Sequence, residues 1–266
     1  MSDRTIFIGD LHGMLDETVE LMKRCEVGPN DRVIWMGDLV DRGPSSAKCI
    51  DLVRAREQEQ GSPACILGNH EEKHVSYEDC IARTGRLPEK SLPPPHVATR
   101  EQLKPEHYAW IRTLPHFIRV PEHNIIAVHA GVWPDRPIEA QDPHHLLHLQ
   151  MIRPFDKDGQ PTRNYRSYWP SRVPDNEDGW CFWSVFYNGP ETIVFGHSVL
   201  DRPLISDKVV GIDGGAVFGR KLHAYIMPEK RVVTVDCTND FGKGRRGVQN
   251  ETIKLYRVHG EVHTFS

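Results

Sequence analysis

Short apolar runs ending in glycine alternate with amphipathic stretches through the N-terminal quarter of the chain. Residues 4–9 (RTIFIG) and 32–37 (RVIWMG) predict buried strands, and 64–67 (ACIL) predicts a third. Between them, residues 14–25 have helical spacing, with Leu15, Val19 and Met22 on one face. Residues 45–58 predict a second helix, capped near Ser45. This βαβαβ order argues for a parallel sheet covered by helices.

The pattern then changes. Residues 87–95 hold four prolines and predict a loop. A short helix is expected over 106–114, a buried strand over 124–129 and a helix over 144–153. Residues 154–179 are rich in proline, aspartate, arginine and aromatics, too polar for a core, and predict a long surface excursion. Four strands follow, at 192–196, 209–212, 223–227 and 231–235, which suggests a second, mainly antiparallel sheet. The expected architecture is α/β, two sheets flanked by helices, in one domain spanning 1–266.

Composition adds exclusions. With 38% hydrophobic and 26% charged residues the 266-residue chain matches soluble globular proteins. A net charge of -4 provides no basic field, so specific nucleic-acid binding is not expected. No apolar run approaches the roughly 20 residues of a membrane span, so no membrane partner is expected. Met1-Ser2-Asp3-Arg4 leads straight into the expected first strand, where cleavage would remove part of the site, so no signal peptide is expected. Six scattered cysteines form no CxxC pair, which argues against a zinc-thiolate site and for small core residues in a reducing, cytoplasmic setting.

Five segments share one design: a strand end, a turn, then aspartate, histidine or asparagine. They are Gly9-Asp10-Leu11-His12-Gly13, Gly37-Asp38-Leu39-Val40-Asp41-Arg42-Gly43, Gly68-Asn69-His70-Glu71, His129-Ala130-Gly131 and Gly196-His197. Carboxyl ends of strands are where α/β folds bind ligands. Polar residues there would be costly without a common purpose. Carboxylate, amide oxygen and imidazole without thiolate suit Mn²⁺, Fe or Zn²⁺. Two such ions about 3.5–4 Å apart can clamp a phosphate.

These segments resemble the metallophosphoesterase superfamily, most closely its phosphoprotein phosphatase branch, with hallmarks GDxHG, GDxVDRG and GNHE. The similarity runs from about Arg4 to Asp236. Its stretch from Gly211 to Phe218 (GIDGGAVF) resembles bacterial and phage lambda-type phosphatases and diadenosine tetraphosphatases. The resemblance implies an αββα-type sandwich and two divalent metal ions, with Mn²⁺ favoured and Fe or Zn²⁺ as alternatives. It implies that Asp10 and His12 bind one ion, that Asn69, His129 and His197 bind the other, and that Asp38 bridges them. Arg42 would hold phosphate oxygens, with Arg153 as a second phosphate contact. Asp41 would orient His70 as proton donor to the leaving group.

Two departures bear on the substrate. Leu67 stands where phage-type and eukaryotic protein phosphatases often carry arginine before GNHE. Diadenosine tetraphosphatases have an apolar residue there but typically read GNHD. Gly196-His197-Ser198-Val199 lacks the second histidine of GHxH, which favours the phosphoprotein phosphatase branch.

Plainer readings stand beside these. Asp10 and Asp38, each alone, could cap helices. His144, His145 and His148 could imitate a metal site but read better as a polar helix face. His96, His107, His116, His123, His223, His259 and His263 read as surface or packing residues. Arg163, Arg166, Tyr165, Tyr168 and Trp169 form either a packed loop or a substrate rim. Residues 242–247 (GKGRRG) read as a solvated basic turn.

The leading functional expectation is a phosphatase for phosphate monoesters of the phosphoserine or phosphothreonine type, using metal-activated hydroxide. The second is a dinucleoside polyphosphate hydrolase cutting diadenosine tetraphosphate symmetrically to ADP. A catalytically silent phosphate-binding module ranks last, because every expected ligand is present. The implied partner is a phosphorylated substrate, phosphoprotein or nucleotide polyphosphate.

Overall fold

The computed structural model describes residues 4–87, 92–156, 158–167 and 180–242, and the backbone of 255–258 and 261–264. In chain order the first half holds β1 (Thr5–Ile8), α1 (Leu15–Arg24), β2 (Arg32–Trp35), α2 (Ser46–Gln60), α3 (Asn69–Thr84), α4 (Pro94–Gln102), α5 (Pro105–Ile111), β3 (Phe117–Val120) and β4 (Ile125–Val128). The second half holds α6 (Pro143–His148), β5 (Met151–Phe155), β6 (Pro161–Arg166), β7 (Cys181–Phe182), β8 (Thr192–Phe195), β9 (Leu204–Ile205), β10 (Val209–Gly211), β11 (Lys221–Met227) and β12 (Arg231–Asp236). A separate hairpin pairs β13 (Leu255–Val258) with β14 (Glu261–Thr264).

Two sheets face one another. The first has the order β12-β11-β1-β2 and the second β3-β4-β8-β10-β9. Each central strand is apolar on both faces because both faces are covered. On β1, Ile6 and Ile8 join the core beneath α1 and α2, while Phe7 joins the core between the sheets. On β4, Ile125 and Ala127 face that inter-sheet core, and Ile126 and Val128 face the layer containing Trp133 and Trp183. Full burial of such side chains contributes about 1.5–3 kcal/mol each. The fold is therefore α/β with two main sheets, as expected from the sequence, and β6-β5-β7 add a smaller three-stranded sheet.

Several local expectations are corrected. The second sheet is mixed rather than mainly antiparallel: β4, β8 and β10 run parallel, and only the edges are antiparallel. Residues 223–227 and 231–235 leave it altogether, because β11 pairs with β1 in the first sheet. The third strand at 64–67 shrinks to a parallel bridge between Trp35 and Cys65. On α1 the buried face is Thr18 and Leu21, and Val19 is 52% exposed. Ser45 precedes α2 without a side-chain capping bond. The proline-rich loop ends at Pro94, where α4 begins with proline in its first turn.

The helix expected over 144–153 stops at His148. Asp142 caps its start, accepting the His144 N–H at 2.9 Å. Met151 and Ile152 fit either periodicity, and pairing with β6 and β7 makes them strand. The polar excursion accordingly contains a strand, β6, where a loop was expected. Tyr168, Trp169 and most of the basic turn at 242–247 lie outside the described residues. Among the described residues no helix is long and apolar enough to cross a membrane.

Candidate active site

The five segments meet at the C-terminal ends of β1, β2, β4 and β8 and at the start of α3. Neither Asp10 nor Asp38 caps a helix; Met14 and Ser45 occupy those positions. Asp10 instead accepts the His197 N–H on both carboxylate oxygens, at 3.1 and 3.0 Å. Only glycine fits beside it, since a Cβ at Gly196 would collide with Asp10 Oδ1. A Cβ at Gly68 would likewise strike the Asp38 backbone nitrogen. Five of the eight described non-glycine residues with positive φ are His12, Asp38, Asp41, Arg42 and His197. Such backbone costs of order 1–3 kcal/mol per residue and persists where the surroundings over-determine it, commonly at functional sites.

Two ligand groups share Asp38. One is His12, Asp38 and His70; the other is Asp38, His129 and His197. Asp38 Oδ2 lies 3.5 Å from His12 Nε2, and Oδ1 lies 3.4 Å from His129 Nε2. Asn69 Oδ1 is 3.0 Å from both His129 Nε2 and His197 Nδ1. His12 Nδ1 donates to the Val40 carbonyl and His129 Nδ1 to the Met36 carbonyl, each at 2.7 Å. Those bonds fix the tautomer and leave each Nε2 with a lone pair pointing inward.

Electrostatics agree with a cation site. Burial, then the charges of Asp213 and Asp38, raises the Asp10 carboxyl well above the usual carboxylate range. Burial lowers His12, with Arg42 adding to the effect, and likewise lowers His129 and His197. Neutral imidazoles and crowded carboxylates are the donor set a divalent ion needs. His197 Nε2 is buried without a hydrogen-bond partner. The residues present therefore fit a pair of metal ions.

Beside this group lies a second constellation. Asp41, fully buried, accepts from His70 Nδ1 at 2.5 Å and from His74 Nε2 at 2.7 Å. Burial opposes its ionisation, but the bonds from His70 and His74 hold it well below the ordinary carboxylate range. The Arg42 guanidinium contacts His12 and lies 2.9 Å from His70 Nε2. Arg153, by contrast, sits on β5 opposite Asn164, and no hydrogen bond among the described residues ties its side chain to this cluster.

Sequence reasoning passed over four residues. Glu71 is fully buried and accepts the N–H groups of Asp38, Leu39 and Val40 at 2.8, 2.8 and 3.1 Å. His74 follows His70 by one helical turn, a spacing that could have flagged it. His96, read as surface or packing, is buried and lies 3.3 Å from Asp41. His148, read as part of a polar helix face, has its ring 6.5 Å from that of His197. Leu67 packs in the core beneath the first sheet.

Comparison with known proteins agrees with this geometry. A bis(5'-nucleosyl)-tetraphosphatase PrpE, asymmetrical, from Oceanobacillus iheyensis is 28% identical over 88% of this chain and 92% of its own. A symmetrical bis(5'-nucleosyl)-tetraphosphatase from Shewanella sediminis is 32% identical, over only 50% of this chain and 46% of its own. A crystal structure provisionally described as a diadenosine tetraphosphatase superposes with a TM-score of 0.70 at 25% identity, covering 90% of this chain and 96% of the other. The sequence model of the calcineurin-like phosphoesterases matches residues 4–201. A shared-aspartate cluster of imidazole, carboxylate and amide ligands, at the strand ends that this match spans, places the chain in the calcineurin-like phosphoesterase family of dinuclear, metal-dependent hydrolases.

Proposed function

We propose that the chain hydrolyses bis(5'-nucleosyl) tetraphosphates asymmetrically, giving a nucleoside triphosphate and a nucleoside monophosphate. The carrying observation is the near full-length similarity to relatives that bear that name. This reverses the order of the two expectations drawn from sequence, and replaces symmetric cleavage to ADP. The phosphoserine/phosphothreonine reading rests on the motifs GDxHG, GDxVDRG and GNHE alone. A yeast serine/threonine phosphatase with a TM-score of 0.51 is 15% identical and resembles the chain in fold alone.

In this reading Asp10, His12 and Asp38 hold one ion, and Asp38, Asn69, His129 and His197 hold the other. Two divalent ions there, Mn²⁺ favoured with Fe or Zn²⁺ as alternatives, would polarise the phosphate and acidify an attacking water. Arg42 neutralises phosphate oxygens with its guanidinium fork, and Arg153 adds a second contact. Asp41 accepts a hydrogen bond from His70 Nδ1 and so orients the ring, which leaves Nε2 to deliver a proton to the departing oxygen. A phosphoanhydride releases a weakly basic phosphate, so it needs that proton less than an ester does. The free thiols, five of them buried, suit a cytoplasmic setting.

The test is turnover of diadenosine tetraphosphate and of a phosphothreonine peptide by Mn²⁺-loaded protein, with His70→Asn as control. Equal amounts of ATP and AMP are expected. Release of ADP alone would move the cut to the centre of the chain of phosphates. Faster turnover of the peptide would sink the nucleotide assignment.

A further inference from the structure

Asp41 is gripped by two imidazoles from one helix, not by one. His70 and His74 are four residues apart on α3, which places them one turn apart on the same face. The carboxylate forks between them, Oδ2 to His70 Nδ1 at 2.5 Å and Oδ1 to His74 Nε2 at 2.7 Å. A carboxylate only accepts, so both ring nitrogens carry protons. We propose that His74 is a positioning residue for the reaction, fixing the plane of the Asp41 carboxylate and thereby the direction of His70 Nε2.

Three observations support this. His74 is wholly buried, and its other ring nitrogen has no hydrogen-bond partner. An imidazole in such a place is stabilised by its Asp41 bond, whereas an apolar side chain would pack there without a desolvation penalty. Next, one hydrogen bond leaves a carboxylate free to rotate, and a second bond on the other oxygen removes that freedom. Lastly, the rest of Asp41 is anchored to the same end. Its N–H donates to Ser46 Oγ at 3.0 Å, and Ser46 Oγ lies 3.3 Å from Thr99 Oγ1 on α4. His96, also on α4, approaches Oδ2 and accepts from the Tyr77 hydroxyl of α3 at 3.0 Å. Catalytic groups must be held to within fractions of an ångström, so their supports matter. His74 reaches Oδ1, the carboxylate oxygen that His70 does not use.

The inference rests on His70 as the proton donor, and the experiment keeps the two apart. Phenyl phosphate and p-nitrophenyl phosphate differ in how far their leaving groups need a proton. His70→Asn should slow phenyl phosphate more than p-nitrophenyl phosphate. If it slows both equally, the donor assignment fails and His74 falls with it. If His70→Asn discriminates, His74→Leu should do so too, with kcat on phenyl phosphate down about 10-fold or more and with KM and bound metal unchanged. His74→Gln, whose amide nitrogen can stand near Nε2, should recover most of the loss; His74→Asn should recover less. In proton NMR of the Zn²⁺-loaded protein, the downfield His70 N–H signal should move in His74→Leu and return in His74→Gln. Equal losses on both esters, or Gln no better than Asn, would overturn the proposal. Should His74→Leu fail to fold, the Gln and Asn variants carry the same comparison.

Discussion

The Glu71 carboxylate accepts the backbone N–H of Asp38 at 2.8 Å, and in doing so holds the turn that presents the shared aspartate. Its second oxygen accepts from Leu39 and Val40, so one side chain closes three consecutive amides of the loop after β2. Burial, with the nearby Asp38 charge, pushes the Glu71 carboxyl up to about 8, against the pull of those amides.

Replacing Glu71 by glutamine turns one accepting oxygen into a donor facing an N–H. The expected result is a loss of stability of about 1–3 kcal/mol for the buried amides left unpaired. Metal affinity should fall by roughly 10–100-fold as Asp38 loses its placement. Urea unfolding and calorimetric metal titration read the two effects, and an unchanged affinity would show that Asp38 is held by other means.

Asp38 belongs to both ligand groups, while in the proposed assignment Asp10 holds one ion only. Asp38→Asn is therefore expected to strip both ions after dialysis, and Asp10→Asn to strip about one equivalent. Elemental analysis decides this, and equal losses would argue against a bridging role. Chelation by EDTA should abolish turnover, with Mn²⁺ restoring it.

His223 gives a pH dependence away from the site. It lies on β11 with Nδ1 2.8 Å from Thr234 Oγ1, and burial, assisted by Lys221, lowers it from 6.5 to about 4. The unfolded chain takes up a proton near 6.5 that the folded chain refuses until about 4. Stability from this group is complete above the upper value and drains away as pH falls toward the lower one. Urea midpoints of the native protein should thus fall more steeply than those of His223→Gln between about pH 7 and pH 4.5. Parallel curves would refute the shift.

Arg163 tests whether the excursion is a substrate rim. Its guanidinium stands 5.1 Å from the Trp133 ring centroid and 2.7 Å from Asp135 Oδ1. Arg166 similarly stacks 4.1 Å from the Trp180 ring. Both arginines are engaged within their own layer, which favours packing over polyphosphate binding. Arg163→Ala should leave KM for diadenosine tetraphosphate within about twofold and cost about 1 kcal/mol or less, as exposed pairs do. A much larger rise in KM would restore the rim.

The family and a set of candidate ligand residues were legible in the sequence alone. Ligand chemistry at strand ends needs particular residue types in fixed local order, so Gly9-Asp10-Leu11-His12 and Gly68-Asn69-His70 are legible without coordinates. The apolar runs at β1, β2, β4 and β8 were legible for a similar reason, since strands covered on both faces leave no polar position. Tertiary structure decided what depends on distant partners. Whether Met151 and Ile152 extend a helix or form a strand was settled by pairing with β6 and β7. Which sheet receives residues 223–227 was settled by the register of β11 on β1. His74 and His96 gained their meaning only when α3 and α4 folded against the loop carrying Asp41, because a carboxylate's hydrogen-bond partners are chosen by proximity in space.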